Sequence, residues 1–183
     1  MHAFDRNHRR WLLFVVMAGL FWSCGFERTT ADAPQRPRRF IYNSDANHMY
    51  YYKTPPMSVA DLQGYVDEVA GTGVTTFFAS PNWGMMMSYP SEVTEMIGST
   101  LEADRLAEMR EEGKTKEVSM ERALANFYSI IDAGHDPFRV MIDRAREKDL
   151  EIFISFRLNE IHDVQNPDIL IVNKFWRDHP DWR

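Results

Sequence analysis

Three short apolar runs alternate along the chain with amphipathic segments, and each run is followed by polar residues. The runs are residues 40–42, 74–80 and 150–156, and their aliphatic, β-branched and aromatic side chains are typical of strands. The last run is apolar almost throughout, which predicts a strand that is buried on both faces. The alternation of strand and amphipathic segment predicts an α/β fold.

The segment between the first two runs carries the signals of a capped helix. Ser58 is placed to cap the helix, and Asp61 three residues later completes a capping box. Gly71 and Gly73 predict where the helix ends. Because a strand, a helix and a strand follow one another, the two strands must be parallel if they are neighbours in one sheet. One face of the helix carries Leu62, Tyr65, Val66 and Val69.

Residues 91–150 are predicted to form three helices that return the chain to the sheet. The first begins at the start of this stretch and is interrupted at Gly113, and the second begins near Ser119. Asp136 followed by Pro137 predicts the N-cap and the first-turn proline of the third helix. The first helix would carry Val93, Met96, Ile97, Leu101, Leu106 and Met109 on its apolar positions.

Composition and charge narrow the class of protein. Hydrophobic residues make up 44% of the 183 residues and aromatic residues 13%, which is enough for a folded core. Lys and Arg total 21 against 27 for Asp and Glu, and the resulting net charge of −6 argues against a nucleic-acid partner. Cys24 is the only cysteine, so no internal disulfide is possible.

The N-terminus has the pattern of a secretory signal. Arginines precede an apolar stretch at residues 11–22, which is shorter than the roughly 20 residues that span a bilayer comfortably. We therefore predict a signal peptide at residues 1–23, a surface linker at 24–39 and the folded domain at 40–183. Cys24 resembles the lipidated cysteine of a bacterial lipoprotein signal, although plain cleavage nearby and an uncleaved anchor stay open.

These predictions place the protein outside the cytoplasm. A lipidated form would lie in the cell envelope, and a cleaved form would be periplasmic or extracellular. Contact with a membrane is expected only through the signal peptide or a lipid anchor at Cys24.

Polar and aromatic side chains follow the end of each predicted strand. The carboxyl ends of parallel strands meet at one edge of the sheet, where the connecting loops of α/β folds form ligand sites. The sequence therefore predicts a substrate-binding face at this edge. Its candidate residues are Asn43 and His48, Asn82 and Trp83, and Arg157, Asn159 and His162.

Each of these residues also has a purely structural interpretation. Asn43, like the nearby Asp45 and Asn47, is as well suited to a turn as to a ligand contact. His48 and His162 more often serve as ordinary surface or core histidines. Trp83 is either a core residue or a platform on which a sugar ring stacks. Arg157 follows an apolar strand, where an unpaired charge costs several kcal/mol, so we expect a carboxylate partner for it.

Several kinds of chemistry lack their sequence signals. His162 and Asp163 are adjacent, and no His-x-x-x-His or cysteine pair supports them as metal ligands. No Gly-x-Ser-x-Gly motif and no glycine-rich phosphate loop is present. The sequence therefore predicts neither a metal site nor a cofactor.

Two segments near the end of the chain resemble bacterial glycosyl-hydrolase-like TIM-barrel proteins of a family-10-like type. In that family an Arg-x-Asn-x-x-His segment at a strand end is followed by a loop with Trp or Phe before a His-Pro pair. The first segment corresponds to Arg157, Asn159 and His162, and the second to Phe175, Trp176, His179 and Pro180.

The resemblance implies a parallel (β/α) barrel of TIM type, of which residues 40–183 would form the N-terminal part with about three strands. It further implies an exported glycoside hydrolase-like protein that binds an oligosaccharide or polysaccharide through the strand-end residues named above. Its catalytic carboxylates would lie on later strands, and none is identified here. A non-catalytic, surface-tethered glycan-binding or envelope protein is the alternative, and an α/β domain of unrelated function also stays open.

Overall fold

The computed structural model describes residues 38–45, 47–158, 162, 165–166 and 168–182. The predicted signal peptide, Cys24 and most of the predicted linker lie outside the described residues, as does Asn159. In chain order the elements are β1 (Ile41–Asn43), α1 (His48–Tyr52), α2 (Val59–Ala70), β2 (Thr76–Ala79), β3 (Asn82–Trp83), β4 (Met86–Met87), α3 (Ala103–Gly113), α4 (Met120–Asp132), α5 (Pro137–Glu147), β5 (Glu151–Ile154), α6 (Lys174–Asp178) and a 3-10 turn (Pro180–Trp182).

Three strands form a parallel sheet in the order β1-β2-β5. Tyr42 of β1 lies opposite Phe77 of β2, which lies opposite Ile152 of β5. All three strands therefore point the same way, as the sequence predicts, and their carboxyl ends meet at one edge. The chain is a mixed α/β protein, and the described strands do not close into a barrel.

Helices α2, α4 and α5 begin where the sequence predicts, because their first turns are capped by local side chains. The Ser58 hydroxyl accepts a hydrogen bond from the Asp61 backbone N–H at 3.2 Å, and the Asp61 carboxylate accepts one from the Ser58 N–H at 2.9 Å. The Ser119 hydroxyl caps α4 by accepting a hydrogen bond from the Arg122 N–H. The Asp136 carboxylate caps α5 by accepting hydrogen bonds from the Phe138 and Arg139 N–H groups. Such caps stabilise a helix by about 1 kcal/mol each.

The core lies between one face of the sheet and the helices. Phe77 of the central strand is fully buried and packs against Tyr65 of α2, with ring centroids 6.3 Å apart. Leu62 and Val66 of α2 and Phe127 of α4 are fully buried as well. Removing each such side chain from water contributes roughly 1.5–3 kcal/mol.

The stretch at residues 91–100 is not helical, which corrects the sequence prediction. It runs beside the short antiparallel hairpin of β3 and β4, where the Met87 N–H donates to the Glu95 carbonyl and the Ile97 N–H donates to the Met87 carbonyl, each at 2.9 Å. These backbone N–H and C=O groups form hydrogen bonds between two segments of the chain. They are therefore not available for the hydrogen bonds of a helix. Ile97 is fully buried all the same. The first helix of this region, α3, therefore begins only at Ala103.

The third strand is not buried on both faces, which is a second correction. Phe153 is 44% exposed and Ile154 is 52% exposed. Only one described strand, β2, pairs with β5. An apolar sequence shows that a strand can be buried on both faces. Whether it is buried depends on the elements that pack against it.

The sheet face away from the helices carries a polar network beside its apolar side chains. The Arg39 guanidinium makes two hydrogen bonds with the Glu151 carboxylate, which also accepts one from the Thr76 hydroxyl at 2.8 Å. These bonds lower the pKa of Glu151. Arg39 also lies over the ring of Phe153, at 5.6 Å from its centroid.

Candidate ligand-binding groove

Two adjoining cavities lie at the carboxyl ends of the strands, and we call them together the strand-end groove. The first, the polar cavity, measures about 260 Å³ and the second, the apolar cavity, about 410 Å³. Gly84 and Arg157 line both cavities, so Arg157 stands where the two adjoin. The polar cavity is lined by Asp45, Asn47, Asn82, Trp83, Arg157 and His162. The apolar cavity is lined by Met85, Phe156, Arg157, Leu158, Phe175 and Trp176.

Arg157 and Asp45 both line the polar cavity and form an ion pair with each other. This contact meets the expectation that Arg157 needs a carboxylate partner. The side chains are 40% and 53% exposed, so water and ligands can reach both. An exposed pair of this kind contributes only about 0.2–1 kcal/mol to stability. Its effect is to hold a donor group and an acceptor group side by side in the groove.

Asn82 holds the backbone of Arg157 in place. Its side-chain N–H groups donate to the carbonyls of Arg157 at 3.1 Å and of Gly84 at 2.9 Å. Its side-chain oxygen accepts a hydrogen bond from the Arg157 N–H at 3.1 Å. The amide is buried and engaged at both ends, so Asn82 acts by positioning Arg157.

Trp83 is a core residue, which decides between the two interpretations left open by the sequence. It is only 3% exposed, and its ring stacks on Tyr50 with centroids 6.1 Å apart. Tyr51 and Phe127 contact it edge-on. Its flat face is therefore covered by protein. The aromatic surface open to a ligand belongs instead to exposed Phe156 and Phe175 in the apolar cavity.

His48 lies in a different cavity, which corrects its predicted place in the binding face. This cavity of about 400 Å³ runs along α1 and α2. The His48 ring meets the Tyr65 ring edge-on with centroids 5.0 Å apart, and burial lowers the pKa of His48. His48 is the first residue of α1, and its ring packs against α2.

Asn43 stands apart from the groove as well. It is exposed at the end of β1 and lines neither of the two groove cavities. His162 is exposed and lines the polar cavity with Arg157. Of the predicted residues, the structure thus brings Asn82, Trp83, Arg157 and His162 together at the groove.

Sequence reasoning left Asp45 open between a turn role and a ligand role, and it did not place the exposed aromatic residues of the apolar cavity in the site. The need of Arg157 for a carboxylate was the signal that pointed to Asp45, which lies two residues after the end of β1. Phe156 was counted with the third strand, although β5 ends at Ile154 and leaves Phe156 in the loop. Phe175 lies at the start of α6, which brings it to the apolar cavity.

In the part of the chain that the structure describes, no three His, Cys, Asp or Glu side chains come together in a group that could hold a metal ion. None of the described helices combines the length and apolarity that crossing a bilayer requires.

The fold and the groove define an α/β protein in which a three-stranded parallel sheet presents the polar cavity and the apolar cavity at its strand ends. Comparisons with models of protein families and with curated proteins gave no match for the chain.

Proposed function

We propose that this chain is an exported, carbohydrate-active protein whose strand-end groove binds an oligosaccharide or polysaccharide. The observation that carries the proposal is the Arg157–Asp45 pair, which stands at the junction of the polar cavity and the apolar cavity. Sugar hydroxyls both donate and accept hydrogen bonds, whereas the C–H faces of a sugar ring are apolar. The polar cavity suits the hydroxyls of a sugar, and the apolar cavity suits the C–H faces of its ring.

The sheet is proposed as the N-terminal part of a (β/α) barrel of TIM type. Its three strands are parallel and lie in the sheet in the same order as in the chain, and the core helices pack against one face. The other face bears the half-exposed side chains of Ile41 and Phe153, where a barrel would place its interior. This arrangement supports the resemblance to glycosyl-hydrolase-like barrel proteins.

Catalysis of the glycoside hydrolase type requires two carboxyl groups across the scissile bond, roughly 5–9.5 Å apart. Among the described residues that line the groove, Asp45 is the only carboxylate, and it is paired with Arg157. This observation favours binding over catalysis for the described part of the chain. It also supports the alternative of a non-catalytic, surface-tethered glycan-binding or envelope protein, for which Cys24 would be the lipidation site.

Calorimetric titration of the full chain with oligosaccharides chosen from a glycan array tests the proposal. Arg157→Ala and His162→Ala should each weaken binding about tenfold, as expected when one hydrogen bond to a charged or polar group is lost. Arg139→Ala and His135→Ala are matched controls, because both residues are exposed and line neither groove cavity. Unchanged affinity in the two groove variants would refute the assignment.

Hydrolysis is tested separately from binding. The oligosaccharide that binds is incubated with the chain, and newly formed reducing ends are counted over time. Release of reducing ends supports the glycoside hydrolase-like function, whereas tight binding without release supports the glycan-binding alternative.

A further inference from the structure

We propose that the cavity along α1 and α2, which we call the helix cavity, binds a quaternary ammonium group. The cavity measures about 400 Å³, a volume typical of small-molecule sites. None of its described lining residues lines the strand-end groove, so the two sites are separate. Aromatic, thioether and carboxylate side chains dominate this lining. The helix cavity therefore goes beyond the proposed function and does not depend on it.

One face of α2 leaves the helix cavity open. Ala60, Gly64 and Glu68 follow one another at a spacing of four residues, so they lie in one row along the helix. Leu62 and Val66 of the same helix are fully buried in the core. Ala60 and Gly64 have the smallest side chains, and a Cβ added at Gly64 would meet no atom within 4 Å. The row therefore leaves room for a ligand above the middle of the helix.

Three tyrosines line the helix cavity, namely Tyr42, Tyr52 and Tyr65. The Tyr42 and Tyr65 hydroxyls are hydrogen-bonded to each other at 2.9 Å, and the Tyr65 hydroxyl donates to the Ser44 hydroxyl at 3.0 Å. These two tyrosines therefore offer a ligand mainly their ring surface. Aromatic rings attract cations through their negatively polarised faces. A primary ammonium needs acceptors for three N–H groups, whereas a quaternary ammonium has none to satisfy and suits such a lining better.

The charges around the helix cavity favour a cation. Lys53 pairs with Asp61 at 2.7 Å, so these two charges offset each other. Glu68 is not part of this pair and adds a negative charge to the described lining. Burial, and to a smaller extent the nearby charge of Glu68, raise the pKa of Tyr65. Burial lowers the pKa of His48, so its ring is neutral at pH 7 and does not repel a cation.

The test compares choline with 3,3-dimethyl-1-butanol, in which a carbon atom replaces the charged nitrogen and the shape is kept. NMR titration of the full chain measures both affinities at one pH and one salt concentration. Choline should bind about tenfold more tightly, because only the cation is attracted by the rings and by Glu68. Phosphatidylcholine vesicles are then added: displacement of choline assigns the ammonium group to a lipid headgroup, and no displacement assigns it to a free ion.

Two variants test the place of the site. Glu68→Gln should weaken choline about threefold, the effect of losing one exposed charge partner, and leave the neutral compound unchanged. Gly64→Leu should abolish the binding of both compounds, since its side chain would occupy the open space. Glu117→Gln and Ala107→Leu are matched controls, because both residues are exposed and do not line the helix cavity. Thermal melts check that each variant is folded.

Several outcomes would overturn the ammonium site. Equal affinities for choline and the neutral compound, or no binding of either, would refute it. Undiminished choline binding in a folded Gly64→Leu variant would place the ligand elsewhere on the chain. Where Gly64→Leu does not fold, Glu68→Gln decides, and a choline affinity equal to that of the wild-type chain then refutes the site. Each of these results leaves glycan binding by the strand-end groove in place.

Discussion

Asn82 and Arg157 lie 75 residues apart in the chain and are joined by two reciprocal hydrogen bonds, each 3.1 Å long. The bonds connect β3, which follows the central strand β2, to the loop after β5. Since the Asn82 side chain is buried, these partly buried bonds hold the loop after β5 at a fixed distance from β3. The position of the Arg157 guanidinium in the groove therefore depends on Asn82.

Asn82→Asp tests this dependence. The substitution replaces a donor that faces the carbonyls of Arg157 and Gly84 with a second acceptor. We expect a loss of about 1–3 kcal/mol in the free energy of unfolding, the usual result of breaking buried hydrogen bonds. Denaturant titration measures the loss. Asn43→Asp is the control, because Asn43 is exposed, and a similar loss in both variants would contradict the positioning role.

Gly64 and Gly113 should respond in opposite ways to substitution by alanine. A Cβ added at Gly64 in the middle of α2 would meet no atom within 4 Å, whereas one added at Gly113 would lie 2.1 Å from the Glu121 carbonyl oxygen. Gly64→Ala should raise the free energy of unfolding by about 0.5–1 kcal/mol, because alanine favours the helix. Gly113→Ala should lower it by about 1–3 kcal/mol through overpacking. Equal effects in the two melting curves would contradict this account.

His48 should make the fold less stable in mild acid. Burial lowers the pKa of His48 below the ordinary value of 6.5, so the unfolded state binds its proton more readily than the folded state. The contribution of neutral His48 to the free energy of unfolding is fully present above pH 6.5 and decreases as the pH falls below 6.5. Asp61, in the same cavity, stays charged over this range because hydrogen bonds from Lys53 and Ser58 hold its pKa at about 2.

His48→Phe should remove part of this pH dependence, since phenylalanine keeps an edge-on ring beside Tyr65 but does not titrate. Urea midpoints at pH 7 and pH 5 measure the dependence, with His135→Phe at an exposed position as the control. A wild-type protein that is equally stable at both pH values would show the prediction to be wrong.

The exposed side chains of Phe153 and Ile154 should promote self-association. Both are about half exposed on a strand with one described neighbour, and unpaired apolar strands are prone to pair with other chains. A Phe153→Thr and Ile154→Thr double variant keeps the strand propensity and should scatter less light at equal concentration. Ile152→Thr is the control: it replaces an ethyl group that packs against the core with a hydroxyl group and should lower stability instead. A monodisperse wild-type sample would contradict the prediction.

The sequence alone determined the features that depend on neighbours within a few residues. Ser58 with Asp61, and Asp136 with Pro137, set the starts of α2 and α5 because the hydrogen bonds of a cap join residues two or three positions apart. The order of strand and helix likewise determined that the strands are parallel. These signals need no knowledge of the rest of the fold.

Only the tertiary structure decided which side chains meet at the strand ends. The extended path of residues 91–100 follows from bonds to Met87, the burial of Trp83 from Tyr50 and Phe127, and the ion pair of Arg157 from the distant loop that holds Asp45. Likewise, the exposure of Phe153 reflects what packs against β5 and is independent of its own apolar character. A local sequence pattern indicates which environments suit a residue. The residues that provide this environment lie elsewhere in the chain, so only the tertiary structure shows which they are.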